Sequence, residues 1–200
     1  LMFDPTRTPS KALFVYGPSR SGKSTLGRLL QDLVGAENVS GVTLQELCEN
    51  RFAAAGLLGK TLNLSMDLSS REASDLSMFK KLTGSDLVSA DRKYGARFEF
   101  TNKALFLYSA NEIPQTNETS KAFTARVVPV AFPHSFIGAE DGSIEQRILA
   151  SERPGLFRAL ILALRAHLKR GKHLTPIEAD TQRFHEGTDK VAHFLAECTV

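Results

Sequence analysis

Apolar positions along the chain fall into short runs with two distinct periods. Ala12-Leu13-Phe14-Val15-Tyr16 is a continuous apolar run of strand length, and Leu26, Leu29, Leu30 and Leu33 then recur at helical spacing. Asn38 to Gly41 reads as a turn, and Val42 to Ala55 as a helical stretch. Lys60 to Asp67 alternates as a strand that ends on an acid, and Ser74 to Leu82 carries Leu76, Phe79 and Leu82 as a short helix broken by Thr83-Gly84-Ser85-Asp86. Leu87 to Ala90 and Ala96 to Phe100 alternate on either side of Asp91-Arg92-Lys93-Tyr94-Gly95, the pattern of a β-hairpin. Ala104 to Ala110 is a dry strand ending on Asn111, Ser120 to Ala125 a helical turn, and Val127 to Phe132 a last strand. From Gly155 onward, Leu156, Leu160, Ile161, Leu164 and Leu168 line one face of a helix closed by Gly171. Thr188 to Glu197 predicts one more helix.

Strands alternating with helices predict an α/β fold with a mostly parallel central sheet flanked by helices, a basic β-hairpin insertion and a small C-terminal helical part. The expected division is 1–153 for the core and 154–200 for the helical segment. The chain starts at Leu1 and stops within an apparent helix, so it reads as a fragment of a longer polypeptide.

Between the first strand and the first helix stands Gly17-Pro18-Ser19-Arg20-Ser21-Gly22-Lys23-Ser24, followed by Thr25. It fits G-x-x-x-x-G-K-[ST] at every fixed position, in the strand–loop–helix context that the chemistry requires. Backbone N–H groups of such a loop wrap a polyphosphate at a helix N-terminus, where partial positive charge favours anions. Lys23 would reach the β- and γ-phosphates and the Ser24 hydroxyl would ligate Mg²⁺, so residues 17–25 read as an ATP site.

Hydrolysis needs more than this loop. Asp67, at the end of an apolar strand, is the candidate acid for Mg²⁺ or for the attacking water, with Glu72 and Asp75 as back-ups; it could equally be a helix-entry acid. Asn111 would be delivered to the carboxyl edge of the sheet, where ligands of parallel sheets sit, or it is a turn asparagine. Arg126, beside a core strand, is either buried in an ion pair or projected toward a neighbour. Arg92, Lys93 and Tyr94 put two cations and a ring at a solvent-facing tip, suited to phosphates and bases or to plain edge protection.

Charge sharpens this picture. The formal net charge is +3, yet residues 80–103 hold six Lys/Arg against three acids and 158–173 hold five basic residues and no acid, whereas 174–200 is net acidic. Segregated basic blocks suit an anionic polymer. Two cysteines, Cys48 and Cys198, are too few for a disulfide framework and point to a reducing compartment. The five histidines show no metal-ligand spacing, and no apolar run is long enough for a membrane span.

Taken in order, these pieces resemble the helicase domain of phage and plasmid primase–helicases, within the superfamily 3 helicases, which are ring-forming AAA+-like P-loop ATPases. The resemblance rests on residues 17–25, the strand ending at Asp67, Phe79-Lys80-Lys81-Leu82-Thr83-Gly84-Ser85-Asp86, Arg92-Lys93-Tyr94 before Phe98-Glu99-Phe100, Lys103 with Ala110-Asn111-Glu112-Ile113-Pro114, and Arg126 before Pro129-Val130-Ala131-Phe132. It covers roughly residues 10–200. It implies Asp67 as the Walker B acid, although similar sequences often carry glutamate there, Asn111 as the sensor, and Arg126 as an arginine finger acting in trans. It implies that Lys80, Lys81 and the Arg92-Lys93-Tyr94 hairpin contact single-stranded DNA in the channel of a homo-oligomeric ring, typically a hexamer. A primase domain would lie outside this chain. The implied setting is the cytoplasm of a bacterial host, for a phage-, plasmid- or prophage-encoded protein. Two other readings share the phosphate loop: a small-molecule kinase, for which no arginine-rich lid is found, and a DNA-assembly subunit that binds ATP without turnover.

Overall fold

A computed structural model of the chain describes residues 10–68, 75–113, 121–171 and 177–188. Five parallel strands form the central sheet in the order β2-β3-β6-β1-β7, with β1 at Ala12–Tyr16, β2 at Val39–Ser40, β3 at Leu62–Ser65, β6 at Leu105–Ala110 and β7 at Val127–Ala131. A separate antiparallel pair, β4 (Leu87–Ala90) and β5 (Phe98–Thr101), makes the hairpin. The helices are α1 (Lys23–Val34), α2 (Leu44–Glu49), α3 (Ser77–Gly84), α4 (Lys121–Thr124), α5 (Ile144–Arg147), α6 (Arg153–Lys169) and α7 (Glu178–Thr188). This is the α/β P-loop NTPase fold that the pattern predicts.

Strand alternation builds the two halves of the core. On one face Phe14, Phe106 and Tyr108 join Phe79, Phe123 and Phe184; on the other Val15, Leu105 and Leu107 meet Leu30 of α1. The aromatic face is packed ring against ring, with Phe14 and Tyr108 centroids 5.1 Å apart and Phe79 and Phe106 5.9 Å apart. Every residue of β6 is buried, Ser109 included, as its predominantly apolar run requires for a strand covered on both sides.

Several boundaries differ from the pattern. The stretch 42–55 splits into α2, opened by a capping box between Thr43 and Glu46, and a 3-10 segment, Ala53–Leu57. Helix α3 runs on through Thr83 and Gly84, where Asn102, just beyond the returning hairpin strand, donates to the Leu82 carbonyl and secures the helix end. Helix α6 keeps its apolar stripe, but among its described residues only His167 is buried, so the stripe is not the core face its spacing suggests. It is preceded by α5 and a π turn, Ile148–Glu152, that the pattern does not reveal. Helix α7 is likewise unforeseen. Phe184 inserts between Phe14 and Tyr16, and the Asp180 carboxylate accepts from the Ala131 N–H, pinning the helix to β1 and β7. The helix expected over 188–197 lies outside the described residues after Thr188.

Candidate nucleotide site at the carboxyl edge of the sheet

Strand β1 delivers the glycine-bearing loop to the carboxyl edge, and α1 begins directly after it. Gly17 has φ 148°, and a Cβ there would stand 2.1 Å from the Phe132 carbonyl oxygen. Only glycine lets the loop leave the sheet beside β7. Gly22 has φ 92° and gives the α1 N-terminus no side-chain cap, and the first turn of α1 holds no acid. The leading N–H groups of a twelve-residue helix are therefore left without side-chain acceptors, which is what a phosphate cradle requires.

Lys23 is buried, and its Nζ donates to the Gly17 and Pro18 carbonyls, each at 2.7 Å, and to Ser21 Oγ at 3.1 Å. The ammonium is thus folded onto its own loop. Burial pushes its pKa below the ordinary lysine value. Ser24 is exposed on the first turn of α1 and Thr25 half-buried, and Pro18, Ser19 and Arg20 stand outward on the loop.

A strap that sequence reasoning missed braces the loop from outside. Ser135 Oγ donates to the Ser19 carbonyl, the Phe136 N–H donates to the Arg20 carbonyl, and Glu140 lies 3.9 Å from the Arg20 guanidinium. Arg20 itself sits at φ 59°, a left-handed conformation that a non-glycine residue holds only under such constraint. No motif marks residues 135–140; their signal is only their place after the strand beside β1.

Asp67 lies two residues beyond β3 and is exposed at the same edge. Its approach to the loop is set by packing. A Cβ on Gly27 would come within 2.6 Å of Met66 Sδ, so α1 rides against the residue next to Asp67. Gly27 is thus a positioning glycine that the motif does not include. Asn111 follows the last residue of β6, whose Ala110 carbonyl accepts from the Gly17 N–H, and it is exposed. Lys23, Ser24, Asp67 and Asn111 therefore share one edge of the sheet. Of the back-up acids, Asp75 is committed elsewhere. Its two carboxylate oxygens accept from the N–H and hydroxyl of Ser77 at the entry to α3, which holds its pKa below the usual carboxylate value. Glu72 lies outside the described residues.

Arg126 stands apart from this group. It precedes β7, whose Val127 pairs with Ala12 and whose Ala131 pairs with Tyr16, so Arg126 stands at the amino edge while the loop stands at the carboxyl edge. Six residues at about 3.3 Å each put it roughly 20 Å from the level of Gly17. Its Nη1 donates to the Ala122 carbonyl at 2.6 Å, and its Nε is buried without a hydrogen-bond partner. The side chain is half-buried and forms no bridge with the loop of its own chain.

The hairpin tip is a separate patch. Tyr94 is 96% exposed at φ 62°, the Lys93 ammonium lies 5.3 Å from its ring, and the Arg92 guanidinium stands 4.8 Å over Phe98. Lys81 is exposed and Lys80 half-buried on α3. Among the described residues no group of three metal-ligating side chains occurs, and no helix is long and apolar enough to cross a membrane.

Fold and loop together define a P-loop NTPase fold. The family model that matches, over residues 15–126, is that of a family of unknown function, DUF5906, and the chain belongs to that family. Among solved structures, the A-form apo structure of the NrS-1 C terminal region matches the whole of this chain at TM-score 0.60 and 17% identity, and a second apo structure of that region does so at 0.57 and 16%. This chain spans 45% of the length of either. JCV helicase, solved with a bound thiazolopyridine compound, is similar over 72% of this chain, at TM-score 0.47 and 19% identity.

Proposed function

We propose that this chain is the motor part of an ATP-driven DNA helicase or translocase of the superfamily 3 type, in which ATP is hydrolysed between adjacent copies of a ring. The observation that carries the reading is the split of the machinery between the two edges of one sheet. Lys23, Ser24, Asp67 and Asn111 stand at the carboxyl edge, and Arg126 stands at the other, too far to serve its own loop. A second copy would complete the site by bringing Arg126 to the γ-phosphate.

Within it, the N–H groups of residues 17–25 would hold the phosphates, and Lys23 would exchange its loop carbonyls for phosphate oxygens. Ser24 and Asp67, a hydroxyl and a carboxylate exposed at the same edge of the sheet, would hold Mg²⁺, which would supply neutralisation of phosphate charge. Asp67 would also orient the attacking water, Asn111 would bond the γ-phosphate, and Arg126 of the next copy would offset charge on the transferring group. Arg92, Lys93 and Tyr94, with Lys80 and Lys81, would track single-stranded DNA by phosphate pairing and base stacking. A hexamer, an associated primase domain and a bacterial cytoplasmic setting accompany this reading through the resemblance alone.

The deciding experiment is ATP turnover by the assembled protein with and without single-stranded DNA. Stimulation by DNA is expected; turnover indifferent to DNA in a verified ring would count against a motor. A second reading, ATP binding without turnover, draws on Asp75 being committed to Ser77, which leaves Asp67 to act without that acid. It predicts that Asp67→Ala leaves DNA binding and assembly intact and has no turnover to abolish.

A further inference from the structure

The loop has two flanks, and the proposed chemistry occupies one of them. In the sheet order β2-β3-β6-β1-β7, Asn111 and Asp67 follow β6 and β3 on one side of the loop, and the strap 135–140 follows β7 on the other. Gly17 stands between the flanks: its N–H donates to the Ala110 carbonyl, while a Cβ on it would run into the Phe132 carbonyl. A nucleotide lying across the loop with its γ-phosphate toward Asp67 and Asn111 would carry its nucleoside end toward the strap.

The side chains of the strap divide by chemistry. Its polar groups are engaged with the loop or with the strap itself. Ser135 Oγ donates to the Ser19 carbonyl, and Glu140 accepts from the Gly138 N–H and faces the Arg20 guanidinium. The large apolar groups face solvent instead, Phe136 at 51% exposure and Ile137 at 70%. They open a tight turn in which the Ala139 N–H donates to the Phe136 carbonyl and Gly138, at φ 80°, fills the position that favours glycine. Single exposed apolar residues are ordinary, but two in succession at a turn, where small and polar residues dominate, are not. The Phe136 N–H also donates to the Arg20 carbonyl, so the pair is held at a fixed place beside the loop.

We propose that Phe136 and Ile137 are the seat of the nucleobase, against which the flat ring of a nucleoside triphosphate lies by stacking and apolar contact. This rests on the reading of residues 17–25 as a nucleotide site and accounts for the part of the ligand that the loop does not hold. The loop recognises phosphate, which a nucleotide shares with inorganic tripolyphosphate. The strap recognises the base, and its hydrogen bonds to the Ser19 and Arg20 carbonyls set the two halves of the site at a fixed spacing.

The test uses the full chain and two ligands that differ by the nucleoside, ATP and tripolyphosphate. Phe136→Ala and Ile137→Ala keep the backbone bond to Arg20 and alter exposed side chains, so the loop and the fold are spared. In calorimetry Phe136→Ala should weaken ATP binding about fivefold or more, the lower end of what stacking on one base is worth. Ile137→Ala should weaken it less, and tripolyphosphate should bind both variants as it binds the wild type. The chain contains no tryptophan, so Phe136→Trp supplies a lone fluorescent reporter. ATP should quench its emission and tripolyphosphate should not. Unchanged ATP affinity in Phe136→Ala would overturn the proposal, as would tryptophan emission indifferent to saturating ATP. Equal losses for both ligands would also overturn it, leaving the strap as a brace for the loop alone. Variants that bind ATP normally but fail to assemble in native mass spectrometry would assign the two residues to contact between copies instead. A wild-type protein that binds neither ligand would sink the nucleotide reading and the seat with it, whereas wild-type binding with unaltered variants sinks the seat alone.

Discussion

Complementation between two inactive variants addresses the seam between copies directly. Lys23→Ala removes the ammonium that the loop carbonyls hold at 2.7 Å, and Arg126→Ala removes the guanidinium at the far edge of the sheet. Because the two positions are separated by roughly 20 Å along the strands, no site can draw both from one chain. Loss of an arginine finger costs a factor of about 10³–10⁵ in turnover, or roughly 4–7 kcal/mol of barrier. Each variant assembled alone should therefore be inactive within measurement. Random one-to-one mixing creates interfaces of four kinds, and roughly a quarter of them pair an intact Lys23 with an intact Arg126. The mixture should recover ATP turnover up to about that share of the wild-type rate. Steady-state phosphate release from mixed assemblies, with native mass spectrometry to verify that both variants occupy one ring, makes the measurement. Verified mixed rings that stay as inactive as their components would refute hydrolysis in trans, and so would an Arg126→Ala ring that turns over at the wild-type rate.

Other consequences concern the loop, its lysine, the hairpin and α7. Gly17→Ala forces a side chain to φ 148° and against the Phe132 carbonyl, so it should cost on the order of 1–3 kcal/mol from backbone strain alone and abolish nucleotide binding; Gly155→Ala, with open space around it, is the neutral control, and calorimetry with differential scanning reads both. Lys23 carries a lowered pKa in the free protein and would regain its proton affinity beside phosphate, so binding of a fluorescent ATP analogue should weaken as pH rises through that lowered value, below the ordinary lysine range; a Lys23→Ala protein should lack this dependence. Tyr94→Ala should weaken binding of single-stranded oligonucleotide by about 1–3 kcal/mol if the ring stacks on a base, measured by anisotropy at fixed salt. Phe184→Ala empties a site that is 2% exposed among Phe14 and Tyr16 and should cost about 3–5 kcal/mol in urea unfolding; an unchanged midpoint would mean that α7 adds nothing to the core.

How far the sequence foretells this arrangement depends on how local the cause is. The phosphate loop, the dry strand β6 and the hairpin all follow from short-range patterns, because turn chemistry and strand burial act on neighbouring residues. Asp67 and Asn111 are legible as strand-ending polar residues, and a parallel sheet brings such residues to one edge. Gly27 is not legible, since its reason is the Met66 thioether on another element. Asp180 and Phe184 escape notice for a similar reason: the residues around them are mostly polar, and it is one ring and one carboxylate, among the described residues, that reach β1 and β7. Asp75, by contrast, misleads. As an acid in the right neighbourhood it resembles a reserve for the chemistry, but the serine two residues later claims both its oxygens.

The loop, finally, is held open at some expense. Gly17, Arg20 and Gly22 all have positive φ, and of the three only Arg20 carries a side chain that resists it. The compensation comes from residues 132–140, which bond the loop's outward carbonyls at Ser19 and Arg20 and pair Phe132 with Tyr16 at its root. With those carbonyls engaged outside, the N–H groups of the helix start remain for an anion. The inward carbonyls of Gly17 and Pro18 accept from Lys23. On the proposed reading, binding a polyphosphate would require little rearrangement of backbone and one relocation, that of the lysine ammonium from three oxygens of its own loop to anionic phosphate oxygens. That exchange would favour the bound state, because the ammonium would gain a direct Coulomb attraction to the phosphate charge that neutral carbonyls do not supply. On the proposed reading, the strap-and-loop geometry would be a cradle prepared in advance, with the lysine held by its own loop until a phosphate displaced it.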